Sequence, residues 1–545
     1  MKKYILFPFL VAGCLMLGGC ENNFEPKIFG SLLQGSYPSS ESDYVSYAMG
    51  CYVPFQSVNA YKFSDGTQHC IYQPTGGYVR MFDTPTDMQA PGLCTLASGW
   101  LDFSKADYEP CRYYNDASAN DKTPGQYRKT VHVTRFTEII GTLERAPENH
   151  ISAETKTGLV AEARLCRANF MYYLLHVFGP VPVIVDYDKV FDESAQQAAV
   201  RPTLDQYCQW IYDDLDFAVR NVPETQSERG RYTRDYARYC MMRHCLNEGG
   251  HMEGWYKKGL EMYEELKGKY SLFTQGSNPY RDLFKNANKF NCEIIMAVSC
   301  DRSGINGGRK EGNINNFAWL VCPSNQSATD PSGNQTALYP QNGGWSPFFN
   351  ISKTYYDRFD DSDLRKATIY TDYWTKQGVH ITSADLGKRW DGYIPWKYPA
   401  EDNVLYQGTD LPIARWADVL LMYAELKVRD SQSAPDNDAI NAVNQVRSRA
   451  GLGGLTPAQT ASLGSFLDAI LEERGKEFFL EGMRKIDLIR HNKYATLTSE
   501  SKGMTPTRQY MPIPDYAVRA AESYGYTLEQ FYSRPGWEQD KSNAK

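Results

Sequence analysis

Leu411-Pro412-Ile413-Ala414-Arg415-Trp416-Ala417-Asp418-Val419-Leu420-Leu421-Met422-Tyr423-Ala424-Glu425 is the stretch on which the fold turns. From Ile413 its apolar residues recur every three or four positions, so Ala417, Leu420, Leu421, Ala424 and Val428 fall on one face of a helix. A polar link containing Pro435 follows, and Ile440, Val443, Val446 and Ala450 repeat the pattern. Two helices so joined bury their apolar faces against each other, and a third, expected over residues 463–480, packs behind them. Asp418 and Glu425 interrupt the apolar helix. Carboxylates there are expected to satisfy backbone or Arg donors, not to act as acid and base.

The same period recurs upstream. Ala163, Cys166, Phe170, Leu174 and Val177 mark one buried face of a helix from Leu159, and Gly179-Pro180 ends it. Thr203 caps a second helix carrying Leu204, Tyr207, Ile211, Leu215, Ala218 and Val222, and Pro223 stops that one. Two more are expected near residues 235–246 and 255–266. The helix-turn-helix unit of about 38 residues is close to the tetratricopeptide period, although the Trp-x-x-Leu-Gly-x-x-Tyr form is absent. The expected fold is therefore mostly α: degenerate tetratricopeptide-like pairs stacked into a superhelix.

Between these helices the character changes. Gly307-Gly308, Pro331-Ser332-Gly333-Asn334 and Asn342-Gly343-Gly344 break the chain into loops and short strands, and Trp319, Trp345, Trp374, Trp390 and Trp396 all lie here. Loops held on a rigid scaffold are where binding residues concentrate. The chain divides into a helical region over 43–270, a loop-rich ligand-binding portion over 271–410 and a second helical region over 411–545.

At the amino terminus Lys2 and Lys3 precede an apolar run ending in Leu17-Gly18-Gly19-Cys20. This is a lipobox: residues 1–19 read as a lipoprotein signal peptide, and Cys20 is the thiol that receives the lipid. An ordinary secretory peptide with an incidental cysteine is the plainer alternative. Residues 20–42 are polar and rich in Gly, Pro and Ser, which suits a lipidated tether. No later segment approaches eighteen consecutive apolar residues.

Of the 545 residues 42 % are hydrophobic, enough for a large core; the net charge is −7 with no basic run, which argues against nucleic acid as a partner. The 39 Tyr and 10 Trp exceed what a core needs, and Tyr and Trp serve contact surfaces well. Thirteen cysteines include Cys14 in the signal and Cys20 at the anchor. Disulfides among Cys51, Cys70, Cys94 and Cys111 are permitted by an oxidising envelope, with buried free thiols the default. Cys240, His244, Cys245 and His251 resemble a metal site only superficially, because Cys240 and Cys245 point to different faces of one helix. No metal or cofactor is expected. Gly-x-Ser-x-Gly, His-Glu-x-x-His and a glycine-rich phosphate loop are missing, which favours binding over catalysis, although 65 acidic residues leave paired glycosidase carboxylates open.

The block from Leu411 to Glu425 resembles the most characteristic segment of the SusD/RagB family of Bacteroidetes surface lipoproteins. Ile440-Asn441-Ala442-Val443-Asn444-Gln445-Val446-Arg447 through Gly451, Ile470-Leu471-Glu472-Glu473-Arg474 through Gly482, and Met511-Pro512-Ile513-Pro514 are similar to the blocks that follow it. Glu162-Ala163-Arg164 through Phe178-Gly179-Pro180-Val181-Pro182 and residues 359–365 resemble the earlier ones. The paired charges in these blocks, Arg447, Arg449, Glu473, Arg474, Glu477 and Arg484, read as salt bridges between packed helices.

The resemblance implies a non-catalytic receptor, lipid-anchored in the outer membrane and facing the exterior, that captures oligosaccharides for a SusC-like TonB-dependent β-barrel transporter. In some branches the ligand is a peptide. Loops over 72–115 and 313–345 would carry the site. A pyranose needs flat aromatic platforms and a few polar groups for its hydroxyl rim, which selects Tyr72, Tyr78, Trp100, Trp319 and Trp345, with Arg80, Asp87 and Asp102. Trp210 and Trp416, inside periodic helices, read as structural. Peptide or glycopeptide capture, an envelope glycosidase and a pilus or adhesin subunit are the alternatives.

Overall fold

The computed structural model describes residues 37–57, 70–91, 98–114, 125–302, 305–306, 309–310, 313–345 and 347–544. The expected signal peptide and Cys20 lie outside the described residues. Five long helices succeed one another: α1 (Thr130–Glu144), α2 (Ala153–Phe178), α3 (Leu204–Asn221), α4 (Arg234–Glu248) and α5 (Trp255–Leu266), each packed on the next. Their limits follow local chemistry. Ser152 and Thr203 cap α2 and α3 by accepting from the backbone N–H groups of Thr155 and Gln206. Gly179 ends α2 at φ 75°, where a Cβ would overlap the Tyr532 ring.

One helix departs from its expected amphipathic form. Every residue of α2 from 159 to 178 except Arg164 is buried, because α1, α3, α4 and the turn Met49–Phe55 enclose it on several sides. It is the central rod of the first half.

The C-terminal pair is α6 (Trp416–Ser431) and α7 (Asn437–Arg449), with α8 (Leu463–Glu477) packed behind. Helix α6 also lies against α4 and α5, so helices far apart in sequence continue a single stack. The Tyr263 and Tyr423 rings stack across this seam, 3.7 Å between centroids. Helix α6 starts three residues later than the periodicity from Ile413 predicts. Leu411–Arg415 is instead strand β2, antiparallel to β1 (Ile294–Val298), with Ile294 opposite Arg415 and Val298 opposite Leu411. Likewise α8 stops at Glu477, short of Leu480, whose φ of 59° is incompatible with a continuing helix.

A buried ionic network fastens these elements together. Arg365 reaches Glu473 and Glu477 at 2.6 and 3.1 Å, and Arg415 reaches Glu293, Glu477 and Glu481 at 2.7, 2.9 and 2.6 Å. Arg449 meets Glu293 at 3.0 Å and also pairs with Glu477. Arg474 joins Asp418 and Asp487, and Arg490 joins Glu425. Asp418 and Glu425 of α6 thus hold guanidinium groups. Burial alone would raise the Glu477 pKa, but Arg449, Arg415 and Arg365 bring it down to about 2.

The ten described cysteines, Cys51, Cys70 and Cys111 among them, are free thiols, and all but Cys292 are buried; Cys94 lies outside the described residues. Among the described residues no helix is long and apolar enough to cross a membrane. The remaining segments cross-connect: Ser352 donates its N–H to the Met88 carbonyl, Ala90 N–H to Asn350 Oδ1, and Ser57 Oγ to the Ile314 carbonyl. Loops from the first hundred residues and from the middle of the sequence are thereby locked side by side.

Candidate ligand-binding cleft

The cleft grows from a hairpin and the turn after it. Strands Tyr373–Trp374 and His380–Ile381 pair antiparallel, and Thr382 then caps the short turn Ser383–Asp385, whose Asp385 carboxylate accepts from Thr382 N–H at 3.0 Å. The N–H groups of Lys388 and Arg389 both donate to the Asp385 carbonyl, and Gly387, at φ 74°, donates to the Trp390 carbonyl at 2.8 Å. The turn is fixed by its own hydrogen bonds. Trp390 anchors it, buried edge-on against Tyr373 at 5.5 Å.

A second wall comes from Pro323-Ser324-Asn325. Gly344 N–H donates to the Pro323 carbonyl, and Lys376 donates its N–H to the Asn325 carbonyl and its Nζ to the Ser324 carbonyl. The third wall is the helix Ser98–Ser104 with Lys105 behind it. Leu101 and Lys105 from this wall, Ser324 and Asn325 from the second, and Lys388 to Asp391 from the turn line an open cleft of about 640 Å3. Its polar groups are mostly donors. Burial pushes the Tyr373 phenol up to about 12, so it stays protonated, hydrogen-bonded to the Asn325 side chain. The Trp390 indole N–H is buried with no acceptor among the described residues.

None of the residues selected from sequence is among the described lining of this cleft. Trp345 is 40 % exposed and lies between Gly344, bonded to the lining Pro323, and the lining Pro347; its N–H donates to the Trp319 carbonyl at 3.0 Å. Trp319 is half-buried on the helix Phe317–Val321, and Asp102 is partly exposed on the same short helix as the lining Leu101. Trp100 shares that helix, but its side chain lies outside the described residues. Tyr72 and Tyr78 stack at 5.6 Å around a separate internal cavity of about 60 Å3, room for a few waters. Arg80 is enclosed over the Phe348 and Phe349 rings at 5.2 and 5.5 Å. Asp87 is enclosed too: against the upward push of burial, Arg484 and Arg358 hold its pKa at about 2.

Tyr373, Trp390, Lys105, Lys388 and Arg389 are cleft residues that sequence reasoning passed over. A signal was present in Gly387-Lys388-Arg389-Trp390, a turn glycine followed by two cations and an aromatic.

One other cluster has the chemistry of a metal site. Cys208, Glu248 and His251 bring a thiol, a carboxylate and an imidazole within 4.8 Å of one another. Glu248 is already taken by Arg534 and His251, at 2.7 and 2.8 Å, and the second His251 nitrogen faces Asp205 at 2.8 Å. The fixed Arg534 charge opposes a cation there. Cys240 and Cys245 are not part of it.

A model of the SusD family matches residues 292–532. A SusD-like protein of Bacteroides ovatus is 28 % identical over 391 residues, which cover 66 % of this chain; the match spans 64 % of that relative's length, just under two thirds. Among solved structures, a laminarin binding SusD-like protein superposes with a TM-score of 0.67 at 19 % identity, over 91 % of this chain and 100 % of the other. Surface glycan-binding protein A from Bacteroides thetaiotaomicron, in complex with laminarihexaose, gives 0.65 at 20 % identity, over 90 % and 100 % of the two chains. The fold likeness therefore runs well beyond the segment that the SusD family model matches.

Proposed function

We propose that this chain is a non-catalytic receptor that binds oligosaccharides in the cleft between Leu101, Asn325 and Trp390 and passes them to a SusC-like TonB-dependent transporter. The observation that carries the reading is the cleft itself: about 640 Å3, open, rich in hydrogen-bonding groups, with the exposed Trp345 two residues along the chain from the lining Pro347. That combination suits a sugar, whose C–H faces stack on rings while its rim takes hydrogen bonds. The two solved relatives named for laminarin and laminarihexaose support the ligand class. A binding role also fits the lining, which among the described residues offers the single carboxylate Asp391, whereas glycoside hydrolysis works with two. The lipobox at Cys20 supports a lipid anchor, and the family supports the outer face of the outer membrane.

Calorimetric titration against a panel of oligosaccharides tests the binding role. Trp345→Ala is expected to weaken affinity about tenfold with unchanged thermal stability. Affinity unaltered by that substitution, or steady cleavage of the bound oligosaccharide, would refute the assignment. Digestion of intact cells with an external protease tests the location; Cys20→Ser should release the protein from the membrane fraction.

A further inference from the structure

The cleft has an unusual charge for this protein. The chain carries −7 overall, yet Lys105, Lys388 and Arg389 line the cleft against one carboxylate, Asp391. Among the described residues none of the three cations has a carboxylate within 4.0 Å. Among the described residues the Lys388 Nζ donates only to the Ala384 carbonyl, at 3.5 Å. Two acids of the hairpin and its turn are engaged elsewhere: Asp385 caps Thr382 N–H, and Asp372 pairs with His380 at 2.7 Å. Lys376, bonded to the Ser324 carbonyl of the second wall, adds a fourth positive charge beside it.

Donor chemistry points the same way. A sugar hydroxyl both donates and accepts, so a receptor for a neutral glycan gains from amides and carboxylates. Lysine, arginine and the indole N–H only donate. The three cations therefore present a surface short of acceptors, matched to a ligand rich in them. Carboxylate and sulfate oxygens meet that demand, and charge-assisted bonds to them are the stronger kind. The self-bonded turn that carries Lys388 and Arg389 holds their backbone in place before any ligand arrives, which lowers the ordering cost of binding.

We infer that the glycan taken by this cleft is acidic: an oligosaccharide bearing uronate carboxylates or sulfate esters, gripped by Lys105, Lys388 and Arg389. The inference rests on the oligosaccharide-binding reading and narrows it to a chemical class.

The test titrates the chain carrying Cys20→Ser with oligogalacturonate and a chondroitin sulfate oligosaccharide, and in parallel with neutral probes, carboxyl-reduced oligogalacturonate and laminarihexaose. Each titration is run at 50 and 300 mM NaCl. At least one acidic probe should bind, its affinity falling about tenfold or more at the higher salt and again in the K388Q/R389Q double variant, while its neutral counterpart binds far more weakly. Both substituted residues are exposed, so the fold should persist, and Lys267→Gln, on a distant surface, controls for a general charge effect. Neutral probes that bind as tightly as the acidic ones, or acidic binding indifferent to K388Q/R389Q, would overturn the inference while leaving the oligosaccharide reading intact. Failure of all four probes to bind would count against both.

Discussion

Glu477 accepts from Arg365, Arg415 and Arg449 in a region sealed from water. A buried ion pair adds little over a well-packed apolar pair, but removing one partner strands the charges left behind. Glu477→Gln is accordingly expected to lower unfolding free energy by about 3–5 kcal/mol, read from urea denaturation at pH 7. The pH dependence has a definite sign. The Glu477 carboxyl titrates near 2 when folded and near 4.5 when unfolded, and Asp87 shifts the same way from 3.8. Their contribution is complete above about pH 4.5 and is lost as pH falls toward 2, so wild-type stability should drop across that window and the Glu477→Gln variant should drop less. The sequence made Glu473, Arg474 and Glu477 legible as structural charges. It could not supply Glu293 and Arg365, because those partners come from the loop-rich middle and meet α8 only in space.

Helix limits were largely written in single residues. Thr203 and Gly179 sit where a cap and a stop are required, and Gly179→Ala should cost about 2 kcal/mol or more, since it strains a positive φ and drives a methyl into the Tyr532 ring. Chemical denaturation measures it; a neutral result would contradict the account of that terminus. Leu411–Arg415 was not legible as a strand, because a short apolar run beside a strong helical period has no local mark of the distant β1 that pairs with it. The candidate site was readable to the same partial extent. Aromatic residues in loop sequence led to Trp345, which is exposed, and to Tyr78, which is buried, since exposure of a ring depends on what packs above it. Lys388 and Arg389 acquire meaning only once the turn sets them opposite Lys105.

At the scale of the molecule, α5 packed on α6 ties the first half to the last, and Glu293 paired with Arg415 ties in the middle. Thermal unfolding should therefore be one cooperative transition, and residues 411–545 expressed alone should lack one in circular dichroism, having lost the helices that cover α6 and Glu293, which pairs with both Arg415 and Arg449. A fragment that melts sharply would show the halves to be independent. The same locking of distant loops builds the cleft, and the claim that the cleft is where a glycan sits is most directly tested by hydrogen–deuterium exchange with and without a bound oligosaccharide. Slowed exchange should be confined to residues 98–105, 323–325, 344–347 and 386–391. Protection confined instead to the groove near Val131, Tyr516 and Tyr524, or spread evenly over the helices, would contradict it.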